Sequence, residues 1–196
     1  METKENIIIN NKPCFLYETE NPTSILIQAI DDHDLEVLDS EVLKIRELSN
    51  EKFILLAFLV DNWNDDLLPY LKEKYGSDKK LYIGGYSLSA LFALWASYNT
   101  DIFDGVVAAS PSIWFPGFIK FAREKDIKVN KIYLSLGNKE EKTKNKIMAT
   151  VGDNIRDYYD MLRENANNNV ILEWNEGNHF IDSDLRTAKG FAWIIN

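Results

Sequence analysis

Short apolar runs and amphipathic stretches alternate along this chain from end to end. The run Phe53–Val60 (FILLAFLV) is apolar without interruption, as expected for a strand that is covered on both faces. The stretch before it, Leu35–Leu48, carries leucine, valine and isoleucine at roughly helical spacing among charged residues. Strands that alternate with helices form parallel sheets with crossover helices on both faces. The sequence therefore predicts an α/β fold.

The rest of the chain continues this alternation. Further strands are predicted at Ile7–Ile9, Phe15–Tyr17, Ser24–Ile30, Lys80–Ile83, Phe103–Ala109, Lys131–Leu136 and Val170–Trp174. Helices are predicted over Asp65–Tyr75, Leu88–Tyr98, part of Ile113–Lys125, most of Thr143–Asn165 and Asp184–Ile195. The 196 residues contain no repeat and no Pro/Gly-rich linker, which predicts a single domain over residues 1–196.

Charge and composition indicate which binding partners and which cellular compartment to expect. The formal net charge of −9 disfavours nucleic acid and anionic membranes as partners. Cys14 is the only cysteine, so no intramolecular disulfide can form, and a reducing cytoplasm is expected. The N-terminal residues lack the pattern of a signal peptide, and no apolar stretch is long enough to span a membrane.

Neither a metal nor a nucleotide cofactor is predicted. Besides Cys14, only His33 and His179 could act as soft zinc ligands. The segment Asn62-x-Asn64-x-Asp66 is similar to the start of a calcium loop but lacks its glycine and distal glutamate. No GxxxxGK[ST] and no GxGxxG motif occurs.

The segment Gly85-x-Ser87-x-Ser89 joins the fifth predicted strand to a helix. This is the pattern of a nucleophile elbow, in which a serine on a strained turn projects its hydroxyl above the sheet. Small residues are needed two positions before and after the serine because neighbouring backbone approaches there. Ser87 is therefore the predicted nucleophile.

The base and the acid should follow later strands, in the chain order serine, acid, histidine. His179 lies in the loop after the last predicted strand and is the predicted base, whereas His33 precedes the serine in an acidic run and is expected to begin a helix. Glu140, three residues after Gly137, is the first candidate for the acid, and Glu141 is the alternative. Both glutamates could instead simply begin the next helix, whose first turn favours acids.

An oxyanion hole needs two backbone N–H groups. Leu88 should supply one, and the loop near Ile30 or Asp31 should supply the other. Trp114 and Phe115 follow the strand next to the nucleophile strand, so they could line an acyl or leaving-group site or pack in the core.

These residues resemble the esterase branch of the α/β hydrolases that includes S-formylglutathione hydrolase and siderophore-ester hydrolases, and more closely a group of small prokaryotic esterase-like proteins. The similar segments cover about the last two-thirds of the chain. They are Asp61–Leu67, Ile83–Trp95, Ala109–Phe115, Leu134–Gly137 with Glu140–Thr143, and Glu176–Phe180 with Arg186. The chain departs from related elbows at Ser89-Ala90, where Ala-Gly or Gly-Gly is usual.

The resemblance implies an α/β-hydrolase fold with a mostly parallel sheet of about eight strands and a minimal cap. It also implies Ser87, His179 and an acid near Glu140 as the catalytic set. The predicted activity is hydrolysis of a small-molecule carboxylic ester, or a thioester, through an acyl-enzyme intermediate. The alternatives are a non-catalytic binding protein on a hydrolase scaffold and an acyltransferase or amidase. The sequence does not determine the oligomeric state.

Overall fold

A computed structural model describes residues 3–59 and 66–196. The strands in this part of the chain are β1 (Thr3–Ile9), β2 (Lys12–Glu18), β3 (Ser24–Ile30), β4 (Phe53–Leu59), β5 (Lys80–Tyr86), β6 (Gly105–Ala109), β7 (Lys131–Gly137) and β8 (Asn169–Asn175). The helices are α1 (Asp32–Leu48), α2 (Leu67–Tyr75), α3 (Ser87–Asn99), α4 (Phe118–Arg123), α5 (Val151–Glu164) and α6 (Ser183–Ile195). Val60, the predicted helix start at Asp65 and most of the calcium-like segment lie outside the described residues.

All eight strands form one sheet in the order β1-β2-β4-β3-β5-β6-β7-β8. β1, β2 and β4 pair antiparallel, and every pairing from β4 to β8 is parallel. The β1–β2 hairpin turns at Asn10 and Asn11, which both have positive φ (48° and 61°). Two left-handed residues fit a type I′ turn, which asparagine tolerates well.

Helices cover both faces of the sheet, as predicted. α1 and α6 pack on one face through residues such as Leu38, Ile45 and Phe191. The other four helices pack on the opposite face, where Leu94 of α3 and Ile155 of α5 are fully buried. From Phe53 to Phe58, every residue of β4 is buried, as its apolar run requires.

The segment Thr143–Asn165 is mostly helical, as predicted, although α5 begins well inside it. A 3₁₀ turn spans Glu140–Lys142, another spans Met148–Thr150, and α5 begins only at Val151. The Asn145 side chain accepts hydrogen bonds from the N–H groups of Ile147 (3.0 Å) and Met148 (3.3 Å). Such a side-chain turn competes with helix formation.

The parallel strands direct their carboxyl ends to one edge of the sheet, where the loops after β5, β6, β7 and β8 lie together. The connection between β6 and β7 contains one helix, the six-residue α4. Gly117, with φ of +89°, precedes that helix. A connection this small leaves the edge open, in agreement with the predicted minimal cap.

Candidate active site

Ser87 lies at a strained turn between β5 and α3. Its φ is +55°, a left-handed conformation that is uncommon for any residue except glycine. The turn lifts the hydroxyl out of the sheet, and the side chain is only partly buried. This is the backbone geometry that the elbow pattern predicts.

Tight packing explains the small residues around the turn. A Cβ atom placed on Gly85 would lie 2.8 Å from the Cβ of Ser89 and 2.9 Å from the carbonyl oxygen of Ala29. No side chain fits at position 85 without moving backbone. Ser89 fits opposite Gly85. The serine at this position, where related elbows have a smaller residue, therefore does not widen the turn.

Ser87, His179 and Glu140 form a continuous chain of polar contacts. The Ser87 Oγ lies 2.9 Å from the His179 Nε2, and the His179 Nδ1 lies 2.7 Å from the Glu140 Oε2. The imidazole thus connects the hydroxyl to a buried carboxylate. A second hydroxyl, Ser112 Oγ, lies 3.2 Å from the Ser87 Oγ.

The Glu140 carboxylate lies in a polar pocket that favours its charged form. Its other oxygen, Oε1, accepts hydrogen bonds from the Gly137 N–H (2.7 Å) and the Ser110 hydroxyl (2.8 Å). Burial alone would raise the pKa of Glu140, but the hydrogen bond and charge of His179, together with these two donors, lower it below 4.5. An ionised partner therefore faces the imidazole.

Arg186 of α6 binds the Glu140 carboxylate through the oxygen that does not contact His179. The side chain is almost fully buried, and its Nη1 donates to Glu140 Oε1 (2.8 Å), Ser110 Oγ (3.1 Å) and Tyr86 Oη (3.2 Å). A planar guanidinium can reach several acceptors at fixed angles. The charge of Glu140 is thereby balanced inside the protein.

Arg186 also fixes the loop that carries the histidine. Its Nη2 donates to the carbonyl oxygens of Glu176 and Asn178, both at 3.0 Å. The Tyr86 hydroxyl donates to the carbonyl oxygen of His179 at 2.8 Å. One arginine therefore connects the carboxylate, the nucleophile strand and the histidine loop.

The neighbouring Glu141 points away from the imidazole. Its carboxylate pairs with Arg156 at 2.9 Å and lines a separate surface depression with Tyr159 and Trp174. Of the two glutamates that the sequence offered, the structure brings only Glu140 to His179.

The backbone groups expected at an oxyanion hole belong to α3 and to the end of β3. Leu88 is in the first turn of α3, where the helix supplies no acceptor for its N–H. Ile30 is the last residue of β3, opposite Leu59 in the ladder. The N–H of Asp31 donates to the Asp34 carboxylate (3.1 Å), and the Asp31 side chain accepts from the Asp34 N–H (2.9 Å), which together form a capping box for α1.

A cavity of about 620 Å³ opens beside Ser87 and His179. Trp114 lines it, together with Met148 and Phe180. Phe115 instead lines an adjacent apolar groove of about 390 Å³, which shares Leu88 with the cavity and also contains Trp95. The two aromatic residues named from the sequence therefore lie in neighbouring spaces.

His33 is exposed in the first turn of α1. Among residues 3–59 and 66–196, no group of three or more histidine, cysteine or acidic side chains is arranged to hold a metal ion. No helix of the described chain has the length and apolar character needed to cross a bilayer.

Comparison with solved structures identifies the fold as that of the α/β hydrolases. The chain is similar to an IroE-like serine hydrolase from Shewanella oneidensis (TM-score 0.76, 14% identity, 98% of this chain and 79% of that one). It is also similar to the enterobactin esterase FES from Shigella flexneri (TM-score 0.66, 15% identity), covering 98% of this chain but only 59% of that one. A third similar structure is the Pyrococcus furiosus esterase Pf2001 (TM-score 0.59, 15% identity, 100% of this chain and 91% of that one).

These likenesses confirm the predicted fold. No family model matches the sequence, and no curated protein matches it. At such low identities the comparisons define the architecture, and the chemistry must be argued from the site itself.

Sequence reasoning assigned no role to three residues of this network: Tyr86, Ser110 and Arg186. Ser110 and Tyr86 are common residue types inside strand–loop segments, with no motif of their own. Arg186 belonged to the segments that resemble esterases, and a lone arginine among the apolar residues of a buried helix was the available signal.

Proposed function

We propose that this protein is a serine esterase that hydrolyses a carboxylic ester, or a thioester, through an acyl-enzyme intermediate. The observation that carries the proposal is the unbroken contact from Ser87 through His179 to Glu140, with distances of 2.9 and 2.7 Å. A serine hydroxyl is a weak nucleophile until an adjacent base takes its proton.

In the proposed mechanism the Ser87 Oγ attacks the ester carbonyl while the His179 Nε2 takes the hydroxyl proton. The N–H of Leu88, with a second amide near Ile30, stabilises the oxyanion. The Asp31 N–H, the other candidate, already donates to the Asp34 carboxylate. His179 then gives the proton to the leaving oxygen of an ester or the leaving sulfur of a thioester, which departs as the alcohol or thiol, and water repeats the sequence on the acyl-enzyme. Glu140 orients the ring and stabilises its cation without taking the proton.

A fluorophosphonate probe tests this assignment. We expect one adduct, on Ser87, located by peptide mass spectrometry, and none in Ser87→Ala. Ser112→Ala is the matched control, because Ser112 is a neighbouring buried hydroxyl that should not be needed for labelling. An adduct on Ser110 or Ser112 would contradict the assignment. No adduct at all would favour a non-catalytic binding protein.

A further inference from the structure

Three lysine residues line the cavity beside Ser87. Lys139, Lys142 and Lys144 all come from the segment that follows β7. The only acidic residue among those lining the cavity is Glu140. Positive charge is therefore concentrated at the cavity of a chain whose net charge is −9.

The nearby carboxylates do not neutralise these lysines. Glu140 contacts His179 and Arg186, and Glu141 pairs with Arg156. In the described parts of the chain, none of the three lysines lies within ion-pair distance of a carboxylate, whereas Lys44, Lys80 and Lys189 each pair with one. Like charges that share one cavity wall repel each other and attract an anion.

The lysine segment is joined to the loop that carries His179. The Lys139 N–H donates to the Gly177 carbonyl oxygen at 3.0 Å, which fixes this segment to the histidine loop. A general acid must reach the leaving oxygen to protonate it. The alcohol portion of an ester bound at Ser87 would therefore extend past His179 toward the lysines.

The remainder of the cavity is apolar. Trp114 and Met148 line it, and Phe180 is a largely exposed aromatic side chain at its edge. A volume of about 620 Å³ lies within the range of small-molecule sites. The site thus combines an apolar surface with a surface whose lysines pair with no carboxylate of the described residues.

We propose that the substrate is an ester whose alcohol portion joins an apolar or aromatic body to a carboxylate or phosphate group. This inference rests on the proposed esterase function. The lysines bind the anion, Trp114 and Met148 contact the body, and the ester carbonyl lies at Ser87.

The experiment compares matched acetate esters: 3-acetoxybenzoate, its neutral methyl ester, and 3-acetoxyphenyl phosphate. The readout is the ratio of kcat/KM for each anionic ester to that for the neutral one. A substitution that alters folding or the chemical step changes both values by the same factor, so the ratio is unaffected. We expect the anionic esters to be preferred, and the double variant Lys142→Ala/Lys144→Ala to lower the ratio about 2- to 30-fold, the range that two exposed charge pairs cover.

Lys146→Ala is the matched control. Lys146 is an exposed lysine of the same segment that does not line the cavity, so its loss should leave the ratio unchanged. Added salt should lower the ratio for the wild type and have little effect on the double variant. A larger ratio for the phosphate ester than for the carboxylate would identify phosphate as the preferred anion.

Binding to Ser87→Ala separates this inference from the proposed function. Titration calorimetry with intact 3-acetoxybenzoate and its methyl ester needs no turnover. Equal affinities for the two esters, or a kcat/KM ratio unchanged in the double variant, would overturn the anion site even if Ser87 is labelled by the fluorophosphonate. Lysine-dependent binding of the anion without labelling or turnover would support the anion site and overturn the esterase assignment.

Discussion

Glu140 and Glu141 are adjacent in the chain but have different environments. Glu140 is buried and faces His179, whereas Glu141 lies at the surface beside Arg156. Consecutive residues of a 3₁₀ turn project about 120° apart, so the same turn directs one carboxylate inward and the other outward. Their roles are therefore expected to differ completely.

We predict that Glu140→Gln lowers kcat by about 10² to 10⁴, since losing the carboxylate removes the partner that orients the imidazole and stabilises its cation. Glu141→Gln should stay within about twofold of the wild type, because its ion pair is exposed to solvent. Steady-state kinetics on a single ester checks both. Equal losses in the two variants would show that Glu140 is not the acid.

Arg186 has a positioning role in this arrangement. We predict that Arg186→Lys lowers kcat about 10- to 100-fold, because an ammonium group cannot reach the carboxylate and both loop carbonyls together. A merely structural defect would lower the fraction of active enzyme, so titration of labelled Ser87 measures that fraction separately. Arg156→Lys, which changes the exposed partner of Glu141, is the control and should leave kcat unchanged.

At the scale of elements, the capping box of α1 contains an unusual carboxyl group. Burial, followed by the charge of Asp31, raises the pKa of Asp34 from 3.8 to about 7. The folded protein thus holds a proton that the unfolded chain releases between these two values. Stability attributable to this group is present below about pH 4 and is lost as the pH rises toward 7.

We predict that Asp34→Asn becomes progressively more stable relative to the wild type from pH 4 to pH 7, because the amide stays neutral and its oxygen can still accept the Asp31 N–H. Urea unfolding at several pH values measures the difference in free energy. Asp32→Asn, exposed in the same helical turn, is the control and should show no comparable slope. Parallel pH curves for Asp34→Asn and the wild type would contradict the prediction.

The elements differ in how far the sequence could predict them. Strands such as β4 could be predicted, because a strand that is buried on both faces has an uninterrupted apolar run. The exact start of α5 within Thr143–Asn165 could not be predicted, because the Asn145 side chain stabilises a turn by contacts that residue periodicity does not encode. The elbow at Ser87 and the loop of His179 could be predicted since both follow recognisable strands. The network of Arg186 could not, because its members Tyr86 and Ser110 belong to no motif that gives them a role.

At the scale of the whole molecule, one short connection determines how open the site is. Only α4 fills the segment between β6 and β7, so no inserted domain within the described residues covers Ser87. Burying each methylene contributes only about 0.8 kcal/mol, and only where covering surface exists. A long acyl chain would therefore gain little from this site.

We predict that kcat/KM for p-nitrophenyl esters is highest from acetyl to butyryl and does not increase further out to C12. The series is measured below the critical micelle concentration of each ester, with Ser87→Ala as the background control. A steady rise to C10 would contradict the prediction and place the acyl chain in the apolar groove that contains Phe115 and Trp95.

The position of Arg186 on α6 has a consequence for the order of folding. The nucleophile turn forms between β5 and α3. The Glu140 carboxylate and the histidine loop are instead held by the guanidinium of Arg186, which belongs to α6. A partly folded chain with a complete sheet but an undocked α6 would contain Ser87 without an aligned base. Such an intermediate would be inert toward esters, so Ser87 becomes reactive only once α6 has docked.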